Sequence, residues 1–468
     1  MKSLFEHTDT TKRALILAGG GARLSYHAGV LQALLEEGIT FSQVDGTSGG
    51  IFNTAMLASG VSVSDIAKKW RALPVKYFMS AEKIGNYFHP MRMTALGSSE
   101  GIRKKVFPAL GIDLQKMHAC TAFTATFNVC NFSTKTIETF TQDTVTEDML
   151  LAGMSLPIFN PPVFANGSWY TDGVWIKDAN LTGAVQRGTD ELWLVWCIGN
   201  SNVYFDGSFN QYVHMIEMSA AGGLGMELDW IRLVNERIAS GISVYGQKEP
   251  VKLRVIKPKY PLPLDPDLFL NYIDTHSLVN MGYADTKEYF KSNNTYVALD
   301  ALASHMEEPG YANSFRMLFK GELLLNGVAV YTHFRVIIFL RTVDSIISNS
   351  FFASIKIGEE EISTYEHTIR KEAGVLVLNG MFLYKDVVHT FQAKTDLPET
   401  IFDHYAGLTF KKLSFSIASG KELFKAVLFQ TIADRLNMLW YNRTYANKGF
   451  MTRMKIRHTL LINFISSL

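Results

Sequence analysis

Cysteine is nearly absent from the 468 residues: Cys120, Cys130 and Cys197 stand far apart, odd in number and in no C-x-x-C pair. That argues against a disulfide framework and makes a reducing cytoplasm the expected compartment. Net charge is also scarce, with 45 Lys and Arg against 44 Asp and Glu. No global field draws the chain to nucleic acid or to an acidic partner, so any basic patch must be local. Long apolar runs are missing as well. The most membrane-like stretch, residues 327–347, is broken by His333, Arg335, Arg341 and Asp344 and falls short of the ~18 uncharged residues of a spanning helix. It reads as strands of a soluble domain. The opening MKSLFEHTDTTKRALILAGG is not the pattern of a secretory signal, and its short apolar run reads as a first strand. There is no internal repeat, no low-complexity segment, no G-x-x-x-x-G-K-[ST] and no H-E-x-x-H or other close metal-ligand cluster. Neither metal nor cofactor is expected.

Hydrophobic residues make up 47% and charged residues 19%, enough for a large core, and the length fits two domains or three. RALILAGGGARLSYHAGVLQALLEEG reads as strand, glycine turn and helix. Leu24, Ala28, Leu31 and Leu35 share a helical face and Gly38 stands as a C-cap. FSQVDGTSGG then reads as strand and turn, and IFNTAMLASG as a buried helix ending at Gly60. Strand–helix–strand–helix at this spacing predicts a parallel sheet covered by helices. Farther on come two strands around residues 131–134, a hairpin at Asn166-Gly167, an apolar strand ELWLVWCIGN, a long helix over 208–246, a late strand VKLRVIKP and a closing helix LVNMGYADTKEYFKS. From about 312 the texture becomes β-rich, with a helix predicted near 420–442. Two domains are therefore expected, 1–300 and 312–468.

Gly46-Thr47-Ser48-Gly49-Gly50 matches G-x-S-x-G. The pattern suits a sharp strand-to-helix turn that exposes the Ser48 hydroxyl and aims a helix N-terminus at it. A tight structural turn would satisfy the same residues. A serine nucleophile further needs a base and an oxyanion hole. Gly19, Gly20 and Gly21, with Ala22 and Arg23, leave backbone N–H groups at a strand end. These could cradle a tetrahedral oxyanion or a phosphate, or simply start a helix. G-x-G-x-x-G fails because Leu24 stands where the third glycine belongs. Among twelve histidines none stands at an obvious strand-end turn: His27 reads as packed or backbone-bonded, His214 as helical, His276 as loop. Asp172, after the hairpin and before Gly173, is the other candidate base.

The blocks LILAGGGARLSYHAGVLQAL, DGTSGGIFNTAMLASG, MSLPIFNPPV and YTDGV, in that order, resemble the patatin-like phospholipases, and the resemblance covers about residues 13–292. It implies a three-layer α/β/α hydrolase fold with a mainly parallel sheet and a Ser–Asp dyad, with Ser48 as nucleophile and Asp172 as base. It also implies an oxyanion hole from Gly19 to Arg23 together with the Gly49 N–H. Gly46, Thr47 and Gly50 complete the nucleophile elbow, and Gly173 the dyad turn. Two positions depart from the family's pattern: Leu24, where a small residue is common, and Val174, where Gly or Ala usually follows Asp-Gly. The region after 312 is assigned to no family.

The implied chemistry is hydrolysis of a phospholipid or other acyl-ester lipid through an acyl-enzyme. Burial should raise the Asp172 pKa, opposed by hydrogen bonds from the Gly173 N–H and Ser48. Residues 70–93, rich in Met and aromatics, could cap an acyl groove or be ordinary packing. The tail 451–468 could touch anionic lipid through Arg453, Lys455 and Arg457 while Leu460, Leu461, Phe464 and Ile465 insert, or dock on its own protein. A catalytically silent or activator-dependent lipid-binding protein is the alternative reading, and a nucleotide-binding enzyme is disfavoured by Leu24. The sequence does not set the oligomeric state.

Overall fold

The computed structural model of the chain describes residues 3–6, 10–78, 95–293, 295–325, 327–343, 346–401, 403, 410–420, 422–446 and 448–466. Of the candidate cap at 70–93, residues 79–93 lie outside these. The chain divides into two compact units, one of residues 1–269 with 292–307, the other of 270–291 with 308–468.

The first unit is built on an eight-stranded sheet. Its strands are β1 (Arg13–Leu17), β2 (Gln43–Thr47), β3 (Thr124–Asn131), β4 (Thr136–Thr141), β5 (Val163–Ala165), β6 (Ser168–Asp172), β7 (Glu191–Val195) and β8 (Lys252–Ile256). β3, β2, β1, β7 and β8 are parallel neighbours in that order. Apolar runs such as Ala14-Leu15-Ile16-Leu17 are fully buried, as expected for strands covered on both faces. Ala14 and Ile16 share a core with Leu192, Leu194, Leu224, Leu228 and Ile231. The last three, at helical spacing, come from a long helix, Ser208–Ala239. Helices α1 (Ser25–Glu36), α2 (Gly50–Ala58) and α3 (Val63–Ala72) follow the first two strands. α2 is buried on all sides and packs on β1, β2 and β3. The long helix, Ser208–Ala239, is α4.

One detail of the sheet positions the site. β4 pairs with β3 over residues 126–131. A strand has two edges, so β2, paired at 124–128, and β6, paired at 129–131, must share the other edge. β2 is parallel to β3 and β6 antiparallel. The two therefore run toward each other and stop head to head, Thr47 opposite Asn128 and Asp172 opposite Val129. The hairpin that delivers β6 turns at Asn166 (φ 49°) and Gly167 (φ 77°), the left-handed pair a two-residue loop demands.

The second unit is a ten-stranded antiparallel sheet: β9 (Tyr311–Leu325), β10 (Val328–Val343), β11 (Ile346–Ile357), β12 (Glu360–Ser363), β13 (Tyr365–Glu372), β14 (Val375–Tyr384), β15 (Val387–Asp396), β16 (Lys412–Ser419), β17 (Glu422–Phe429) and β18 (Arg443–Tyr445). β13, at one end of the strand order, comes back against β11 near the other, so the sheet curls almost closed around an aromatic-rich core. Three sequence expectations need correction here, and the choice left open for the tail is decided. Residues 422–429, expected as helix, form β17 because pairing with β16 overrides a locally helix-compatible run; the helix α6 begins only at Ile432 and ends at Trp440. The closing helix, α5 (Thr275–Glu288), belongs to this unit and packs on β11 and β13. His276 is thus helical rather than in a loop, its Nδ1 2.9 Å from Glu361 Oε1. The tail forms α7 (Phe450–Ser466), whose Leu460, Leu461 and Phe464 are buried in the sheet core. They are not free to insert into lipid. Among the described residues no helix is long and apolar enough to cross a membrane.

Candidate active site

Ser48 is the single residue between the end of β2 and the N-cap of α2. Its φ of 52° lies in the left-handed region that side chains seldom occupy, a strain characteristic of functional turns. The glycines that follow are required by space. A Cβ on Gly49 would come 1.7 Å from Leu24 Cδ1, and one on Gly50 1.9 Å from the Leu17 carbonyl oxygen. Leu24, the departure noted in the sequence, therefore fills the room that Gly49 leaves.

The Ser48 hydroxyl donates to Asp172 Oδ2 at 2.7 Å, across 124 residues of chain. Asp172 Oδ1 accepts the Val174 N–H at 2.9 Å. The expected donor was Gly173; an aspartate at a turn instead reaches the amide two residues on. Gly173 gives space, since a Cβ there would meet Thr47 Cγ2 at 3.0 Å and the Asn128 carbonyl oxygen at 3.1 Å. Ser48 is 5% exposed and Asp172 1%. Burial raises the Asp172 pKa to about 7, while the Val174 amide and the Ser48 hydroxyl pull it down. A carboxylate poised there can accept a proton near neutrality.

The glycine loop meets this dyad. A Cβ on Gly19 would be 2.8 Å from Ser48 Cβ. Gly21, Ala22, Arg23 and Leu24 form one tight helical turn. The Gly19 N–H is engaged, donating to Asp178 Oδ2 at 3.0 Å. The Gly20 carbonyl accepts both the Arg23 N–H and Arg23 Nε, the latter at 2.7 Å, so Arg23 braces the loop with its side chain. Among the described residues the amides of Gly20, Gly21 and Gly49 have no acceptor. Neither the Gly21–Leu24 turn nor α2 has a side-chain N-cap, which leaves donors without side-chain partners at two helix starts around one serine.

Behind the elbow, Asp45 accepts from Asn128 Nδ2 at 2.7 Å and from Thr126 Oγ1 at 2.5 Å. Asn128 Nδ2 also reaches Thr47 Oγ1 at 2.9 Å, and Asn180 Nδ2 donates to Asn128 Oδ1 at 3.0 Å. Burial raises the Asp45 pKa to about 6 against these bonds and the Arg187 charge. Asn128, Asn180 and Asp178 escaped the sequence reading. For Asn128 a signal existed: Thr124, Thr126 and Asn128 alternate with apolar residues in β3, an inward polar row inside a buried strand. No spacing announces Asp178. His27 is fully buried and neither ring nitrogen has a hydrogen-bond partner among the described residues, so it is packed and not backbone-bonded. Burial drives its pKa down to about 3, and it stays neutral.

An apolar wall stands near the dyad. Tyr212 on α4 packs against Phe159 and Trp175, with ring centroids 5.2 and 5.9 Å away. Its hydroxyl donates to the Pro157 carbonyl at 2.7 Å. Burial, and then the Asp172 charge, raise the phenol's pKa.

Residues 15–185 match the patatin-like phospholipase family. Both Ser48 and Asp172 lie inside the patatin-like region, and the sheet above is its mixed, mostly parallel fold. An uncharacterized NTE family protein of Mycobacterium bovis and another of Mycobacterium tuberculosis are each 32% identical to the chain over 83 residues, 18% of this chain. The match spans 14% of the length of each of those relatives. The crystal structure of VipD from Legionella pneumophila is similar at 14% identity and a TM-score of 0.35, over 61% of this chain and 67% of that one, too slight a likeness to bear on function.

Proposed function

We propose that the chain is a serine acyl hydrolase of phospholipase A or lysophospholipase type, cleaving lipid carboxylic esters through Ser48 and Asp172. The 2.7 Å bond between a strained, buried hydroxyl and a buried carboxylate of raised pKa carries the reading. Asp172 takes the Ser48 proton as Oγ attacks the ester carbonyl. The new oxyanion is held by the Gly20, Gly21 and Gly49 amides, each such donor contributing ~10²–10³ in turnover. Asp172 returns the proton to the leaving alcohol or lysolipid, and water then frees the acid by the same route. Phe159, Trp175 and Tyr212 supply an apolar flank for an acyl chain. No cofactor takes part in these steps. Ser48 is 5% exposed, and a catalytically silent or activator-dependent lipid-binding protein on the same fold is the second reading. The scarcity of cysteine is compatible with a reducing compartment.

Labelling by a long-chain fluorophosphonate, followed by peptide mapping, tests the assignment. One adduct per chain at Ser48 is expected, with a rate that climbs with pH and levels off above about 7 as Asp172 ionises. Vesicles should accompany the reagent, to allow for dependence on an activator. Label elsewhere with Ser48 free rejects the site.

Contact with an anionic membrane belongs to this reading, through a different surface from the tail's apolar end. Ile432, Leu436 and Trp440 form one outward stripe of α6, with Trp440 80% exposed. Phe450, Met451 and Met454 are exposed at the start of α7, and Arg457 of α7 reaches the Leu439 carbonyl at 3.4 Å. After Asp434 the sequence has six Lys and Arg and no Asp or Glu. Apolar anchors amid one sign of charge suit an anionic lipid interface. The Ser48→Ala chain is expected to sediment with phosphatidylserine-containing vesicles, weakly at high salt, and the pair Leu436→Ser with Trp440→Ser to reduce binding about tenfold or more. Equal binding by the variant, or to neutral vesicles, counts against this surface.

A further inference from the structure

We infer that Asp178 is a positioning residue for the oxyanion loop, holding the Gly19 peptide so that the Gly20 and Gly21 amides stay free for the acyl oxygen. This rests on the Ser48–Asp172 reading above. The last sheet bond of this strand is Ala18 N–H to the Val195 carbonyl at 3.2 Å. Beyond it the loop is pinned at two points, by Asp178 at the Gly19 N–H and by Arg23 at the Gly20 carbonyl. Removing Asp178 would leave the Gly19 peptide plane without a partner and free to turn, and the next two amides turn with it.

Asp178 is suited to do this as a neutral acid. It is fully buried. Its Oδ2 has one donor, the Gly19 amide, and its Oδ1 has none among the described residues. It forms no ion pair there. The charged groups that face it are Asp172, from the end of β6, and Arg23, from the glycine turn. An ionised carboxylate so poorly compensated, beside the base that must itself ionise, would be costly. Burial and the Asp172 charge both push its pKa well above the ordinary value; the Gly19 amide and Arg23 oppose them. Oδ1 also borders the active-site gap. A Cβ on Gly19 would lie 2.3 Å from it and 2.8 Å from Ser48 Cβ. Asp178 thus occupies the room that the missing side chain leaves. Asp172 cycles its proton during turnover while Asp178 keeps its own throughout.

The test compares Asp178→Asn with Asp178→Ala in the full chain on a p-nitrophenyl ester. Asparagine offers an uncharged oxygen to the Gly19 amide, and kcat within about threefold of the parent is expected. Alanine should lower kcat ~10²-fold, the size of losing an oxyanion donor, with KM nearly unchanged. Infrared difference spectra at pH 7 in a Ser48→Ala background should show a protonated-carboxyl C=O band that Asp178→Asn removes. That measurement needs only folded protein and decides the matter if the alanine variant misfolds. Parental kcat in Asp178→Ala, an asparagine variant as slow as the alanine one, or no lost carboxyl band would each overturn the inference. A Ser48→Ala chain with full activity would refute the dyad instead and leave the infrared result standing.

Discussion

Asp172→Asn is expected to lower kcat on a simple ester by about 10⁴ or more, the scale of losing a member of the catalytic unit in serine hydrolases. Ser48→Ala should cost at least as much, and the double variant little more than either, because the two act as one unit. Stability should move the other way. The folded pKa of Asp172, about 7, lies above its ordinary value of 3.8. The stability this group contributes is therefore full below about pH 4 and is lost as pH rises through about 7. Asp172→Asn escapes that loss. It should gain on the parent steadily from pH 4, by an amount on the order of 4 kcal/mol once above pH 7, as urea denaturation at a series of pH values would show. An asparagine variant that is inactive yet no more stable at pH 8 than at pH 4, relative to the parent, would contradict the buried, proton-accepting role.

Gly50→Ala is the second large effect. The added methyl would sit 1.9 Å from the Leu17 carbonyl oxygen and 3.1 Å from that of Ala18. Both are backbone atoms of the central strand region, and neither can rotate away. α2 must lift off β1, at more than about 3 kcal/mol, and Ser48 is carried with it. A displacement of about 1 Å at the reacting group typically costs ~10² in rate. Gly60→Ala is the matched control. Gly60 has a φ of 76° but nothing within 4 Å of an added Cβ, so only the left-handed conformation is penalised, by about 1 kcal/mol. Melting temperature and ester turnover of the two variants should differ sharply; similar behaviour would mean that α2 is not held against β1 as described.

Much of the setting of Ser48 is legible in the residues. A buried apolar strand, G-x-S-x-G and a helix without polar faces define the elbow, because each is a local demand of backbone and packing. The hairpin at Asn166-Gly167 is equally local. What brackets the dyad is not. Asn128 and Asn180 come within 3.0 Å of each other only after β3 has been threaded between its neighbours. Asp178 finds the Gly19 amide 159 residues away. The second unit shows the same limit from the other side. Residues 422–429 have no local reason to refuse a helix, and only pairing with a strand makes β17. In the tail, the apolar end of α7 looks like a membrane anchor until the sheet that receives it exists.

The head-to-head meeting of β2 and β6 has a consequence for synthesis. The serine leaves the ribosome 124 residues before the aspartate, and the strand that aligns them lies between. A nascent chain halted anywhere before residue 172 therefore carries Ser48 without the carboxylate that accepts its hydroxyl in the folded chain.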